Sequence, residues 1–171
     1  VNELFRLTAG WPGLVTDVVQ YTRAQGVLRE ASGMYRFVSD AGLPPATTRR
    51  LTALRRAWND RLSEEFDRLA LADGLTGRLA DVSVALRSSG LVIEHGGMIH
   101  LATPIVAQAG VATTPSMRLA RLADELLATA DNQDKPRQVR WQLAAGHVPP
   151  SEEIADAARA ARAAGHVWEA V

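Results

Sequence analysis

The sequence predicts a mainly α chain: a helical N-terminal part with a short hairpin, a winged-helix unit, then antiparallel helices of helical-repeat, solenoid-like type. Three observations predict this. First, residues 90–106, from Gly90-Leu91-Val92 through His95-Gly96-Gly97-Met98 to Thr103-Pro104-Ile105-Val106, read as a helix end, a strand, a two-glycine turn, a second strand and a helix opened by proline. That is the wing of a winged-helix unit. Second, apolar residues recur at helical spacing, as in Leu14, Val15, Val18, Val19 and Tyr21. Third, small residues (Ala144, Ala145, Ala157, Ala158, Ala161) fall on the packing faces of the last two segments, which suits closely stacked helices.

Taken in order, residues 2–9 read as a helix end stopped by Gly10, and Trp11-Pro12-Gly13 as a turn. A helix over about 13–25 follows, ended by Gly26. Val27–Arg29 and Met34–Val38 form a hairpin across Ala31-Ser32-Gly33. Pro44-Pro45 breaks the chain. The next helix is expected from Thr47 or Thr48 to about Asn59, with Leu51, Leu54 and Trp58 on one face. Ser63 reads as the N-cap of another, with Glu64 and Glu65 in its first turn, running to Asp73-Gly74. A helix over 77–89 then leads into the wing. Residues 104–110, 115–130, 135–146 and 151–164 read as helices, with Pro104, Pro115, Pro136 and Pro149-Pro150 near their starts. The domains expected are 1–45, 46–112 and 113–171. Because residue 1 is Val and not Met, and a helical unit beginning at Gly165-His166-Val167-Trp168 lacks a partner, the chain is read as a segment of a longer protein.

With 47% hydrophobic and 22% charged residues, the composition is that of a globular protein. No apolar run is long enough to span a membrane, and none follows a basic start as in a signal peptide. Cysteine is absent, which excludes disulfides and thiolate chemistry and suits a cytoplasmic location. The net charge is zero but unevenly spread: +4 over residues 1–59, −3 over 60–110 and −1 over 111–171. The acidic centre counts against nucleic-acid binding.

No motif for chemistry stands out. Lys135, the single lysine, is not in a phosphate loop. His95, His100, His147 and His166 lack a second ligand at metal-site spacing and read as solvated or rim residues. Glu64-Glu65 and Glu152-Glu153 suit the positive ends of helices better than acid–base work. Arg49-Arg50 and Arg55-Arg56 form the strongest basic cluster; a solvated helix surface is favoured over a phosphate contact. Trp11, Trp58, Trp141 and Trp168 are too far apart to form a stacking platform and read as packing residues.

Five segments in order resemble a known family. Leu7–Val15, with Gly10-Trp11-Pro12-Gly13 at its centre, resembles the helical-lid segment of STAND-type signalling ATPases. Leu62–Gly74 resembles the helix that opens their winged-helix domain, and Ser89–Val106 resembles its wing. Arg118–Leu127 is similar to the helix that follows, and Arg140–Gly146 to the start of a tetratricopeptide-like array. The order and spacing are those of the ATP-dependent, MalT-like group of LuxR-family transcription regulators. The resemblance implies a signal-transduction segment with no catalysis or cofactor of its own. ATP or ADP would be bound by an upstream domain of the same chain. A protein or small-molecule inducer would act through the helical repeats. Among site residues it implies Pro12, the match to a lid proline that lines the nucleotide pocket, and Thr103, which stands where the family often has a histidine that reaches the diphosphate. The sequence departs from the family in that only about one helix fits between Asp73 and Leu91, so the winged-helix unit is shortened or its middle helix is a single turn.

Two other functions compete. A DNA-binding winged-helix regulator would use residues 78–88 as its recognition helix, offering Arg78 and Arg87 with Asp81 between them. A helical scaffold for protein partners would use the wing as structural filler. DNA binding by this chain is not expected, nor is membrane association.

Overall fold

The computed structural model describes residues 2–31, 34–37, 42–77, 81–130 and 135–163. Ser32-Gly33, Val38, the start of the expected 78–88 helix, and Gly165–Trp168 lie outside the described residues. Along the chain run α1 (Asn2–Thr8), α2 (Pro12–Ala24), β1 (Leu28–Ala31), β2 (Met34–Phe37), α3 (Pro45–Arg55), α4 (Asp60–Ala72), β3 (Leu75–Thr76), α5 (Val84–Ser88), β4 (Val92–His95), β5 (Met98–Leu101), α6 (Pro104–Thr113), α7 (Ser116–Thr129), α8 (Lys135–Ala144) and α9 (Ser151–Ala163). The protein is mainly helical, with a small antiparallel sheet in the order β3-β5-β4 and a separate β1-β2 hairpin. Two compact units result, one of residues 1–70 with 74–113, the other of 71–73 with 114–171.

In the first unit, proline sets the helix starts. Pro12, Pro45 and Pro104 each open a helix, where a missing N–H costs nothing. Thr103 caps α6: its hydroxyl accepts from the Val106 N–H at 3.2 Å. The β4-β5 hairpin turns on Gly96 and Gly97, with φ of 59° and 75°. Two successive positive φ angles give the tight turn whose twist matches the flanking strands. The register pairs Val92 with Leu101 and His95 with Met98. Leu91, Val92, Ile99 and Leu101 thereby face the core beside Phe66, Leu69, Leu86, Ile105 and Ala109.

Four expectations are corrected here. The helix expected to begin at Ser63 begins at Asp60, because Asn59 caps it: its side-chain oxygen accepts from the Leu62 N–H at 2.9 Å. Glu65 therefore sits beyond the first turn, and its carboxylate accepts from the Ser83 N–H at 2.8 Å. The helix expected to reach Asn59 stops at Arg55. Among the described residues, the helix expected over 77–89 is Val84–Ser88, capped by Ser83. Before it, Leu75-Thr76 is spent as a strand on β5, paired with Ile99 and Met98. A two-residue strand has too little alternation to be read from sequence.

The Arg pairs on α3 are also not simply a solvated surface. Arg49 and Arg56 are exposed, but Arg55 reaches inward. Its guanidinium lies 2.7 Å from the Asp67 carboxylate, a group with 0% side-chain exposure, and donates to the Thr113 hydroxyl at 3.1 Å. The same guanidinium lies 5.7 Å over the Phe66 ring, which meets Trp58 at 5.2 Å. One cation thus ties α3 to α4 and α6.

In the second unit, α7 packs on α8 and α8 on α9. Leu122, Ala123, Leu126, Val139, Trp141, Ala157 and Ala161 are buried. The carbonyls at the end of α4, which lack acceptor roles within the helix, are taken up by α8: Trp141 Nε1 donates to the Leu71 carbonyl at 3.0 Å, and Arg137 to that of Asp73 at 2.9 Å. No described helix is long and apolar enough to cross a membrane.

Gly110 is where α6 touches α4. A Cβ there would stand 2.8 Å from Ala70 Cβ and 2.8 Å from the Phe66 ring. Gly110→Ala is therefore expected to lower stability by about 1–2 kcal/mol, because overpacking outweighs the roughly 1 kcal/mol gained in helix propensity. A reduced urea midpoint at unchanged slope checks this.

Candidate binding pocket

The first unit holds a pocket of about 320 Å³, within the size range of small-molecule sites. Four segments build it. The start of α2 supplies Trp11, Pro12, Gly13 and Leu14; α3 supplies Thr47, Arg50, Leu51 and Leu54; Leu91 precedes β4, and Val106 comes from α6. Pro12, Gly13, Arg50 and Leu54 are exposed, whereas Leu14, Thr47, Leu51, Leu91 and Val106 are buried. The walls are thus apolar, and the polar groups are few.

Those polar groups share a sign. Helix α2 brings its N-terminus to the pocket, whereas α3 lines it along one side. Neither has a side-chain cap or an acidic residue in its first turn. The N–H groups of Gly13 and Leu14 have no acceptor within their own helix, so this end carries uncompensated positive character. Arg50 adds a full charge. It is fixed by a two-pronged bond to Asp17, Nε to Oδ2 at 2.9 Å and Nη2 to Oδ1 at 3.3 Å. Asp17 is 4% exposed and Arg50 64%. Arg50 Nη1 is left facing Gly13, 3.7 Å from where a Cβ would stand.

Thr47 is the anomaly. It is 2% exposed, lines the pocket, and its hydroxyl has no hydrogen-bond partner. A buried hydroxyl without a partner is costly and calls for an explanation.

The two site residues singled out from the sequence fare differently. Pro12 lies at the pocket rim. Thr103 is 1% exposed, with its hydroxyl engaged at the start of α6, and it does not line the pocket. Sequence reading missed Thr47, Leu51, Leu54 and Leu91 as pocket residues, since convergence of four segments leaves no periodic signal. His95 is exposed at the end of β4 and His100 is half-buried on β5 against Gly74. His147 lies 3.3 Å from Asp124 on the surface. Among the described residues no cluster of His, Asp or Glu has the arrangement of a metal site. Comparison with known proteins finds no matching family model, no matching curated protein and no matching solved structure.

The idle hydroxyl gives a direct check. Thr47→Val keeps the volume and removes the stranded group, so it is expected to stabilise the protein by about 1 kcal/mol, a rise of roughly 2–4 °C in the unfolding midpoint. A fall in the midpoint would mean that the hydroxyl is already satisfied.

Proposed function

We propose that this chain is the transmission segment of a nucleotide-controlled, LuxR-type STAND regulator. It comprises a lid end, a short winged-helix unit and the first helices of a repeat array. It carries out no reaction itself; it passes the nucleotide state of an upstream domain to a helical sensor region in the cytoplasm.

One observation carries the reading. The lid-like turn, Trp11 to Leu14, and the helix after the wing, through Val106, line the same pocket. These are two segments that the resemblance associates with nucleotide sensing, and they are distant in sequence. The order α4-β3-α5-β4-β5-α6, with a β3-β5-β4 sheet, supports the winged-helix assignment. Sequential packing of α7, α8 and α9 supports the repeat assignment. Exposed Pro12 is the residue assigned to the nucleotide edge. Thr103 is assigned a capping role only, because its hydroxyl is committed to the start of α6.

The charge pattern counts against DNA. Arg50 and Arg55 are held by Asp17 and Asp67, and α5 carries a single cation, Arg87. The helix that would enter the groove thus brings one positive charge where DNA binding normally needs several phosphate contacts.

The test is a pair of titrations. The 171-residue chain alone is expected to give a flat response to duplex DNA at low salt. Joined to its upstream nucleotide-binding region, the chain with Pro12→Ala should bind ADP about tenfold more weakly than with proline, the loss of one good packing contact. Tight DNA binding that weakens steeply with salt would contradict the proposal, as would an ADP affinity indifferent to Pro12.

A further inference from the structure

We draw no further inference here: the strongest candidate, the apolar trough of the first unit between the start of α2 and one side of α3, is lined by Trp11, Leu51, Leu54 and Val106, and nothing in the structure shows what covers it.

Discussion

The first unit depends on one ion pair, the largely enclosed Arg55 guanidinium against the fully buried Asp67 carboxylate. Helix α3 has little to hold it by hydrophobic burial: Thr47 and Leu51 are the residues it buries. Arg55 compensates. It inserts between Asp67 on α4 and Thr113 at the end of α6, and covers the face of Phe66. Removing one partner of so enclosed a pair typically costs about 3–5 kcal/mol, because the other charge is stranded in a low-dielectric interior. The second bond from α3, Arg50 to Asp17, lies nearer the surface and is worth less, but it fixes the angle between α2 and α3. Together the two arginines set where α3 lies, and α3 carries four of the pocket residues.

The pocket follows from that arrangement. Two helices opened by proline build the hollow, α2 with its uncapped start and α3 with one side. Proline explains why: a residue without an N–H is tolerated at a helix start, but neither Trp11 nor Pro44, the residues before it, provides a side-chain cap. The result is positive backbone character at one edge of an apolar trough, with an unpartnered hydroxyl buried beneath it. The lid-like turn lies on the rim, so the residues assigned to the nucleotide edge also shape the trough. A transmission segment needs such a shared position, since a ligand alters a distant equilibrium only by favouring one state of a common element.

How much was legible in the sequence depended on whether the signal was local. Helices α2, α6, α7, α8 and α9 were readable to within a few residues, because proline and glycine punctuate them and apolar spacing runs through them. The wing hairpin was readable because two adjacent glycines admit one turn geometry. The start of α4 was misassigned to Ser63 because Asn59 and Ser63 are both good capping residues, and only the bond to Leu62 decides between them. β3 was invisible, since its two residues become a strand only through pairing with β5. Arg50 and Arg55 read as surface charge because their partners, Asp17 and Asp67, lie 33 and 12 residues away. Pro12 is singled out only by the resemblance of Leu7–Val15 to a lid segment. Thr47, the most informative residue of the pocket, is one of two adjacent threonines with no local mark to tell them apart.

The central claim is that Arg55 holds α3 in place and so maintains the pocket without a ligand. Amide hydrogen exchange on Arg55→Met tests it most directly. Protection across α3, Pro45–Arg55, should fall by roughly a hundredfold, the equivalent of about 3 kcal/mol, while β4 and β5 keep most of theirs. Undiminished protection in α3 would contradict the account, because the helix would then be held by something other than the buried ion pair.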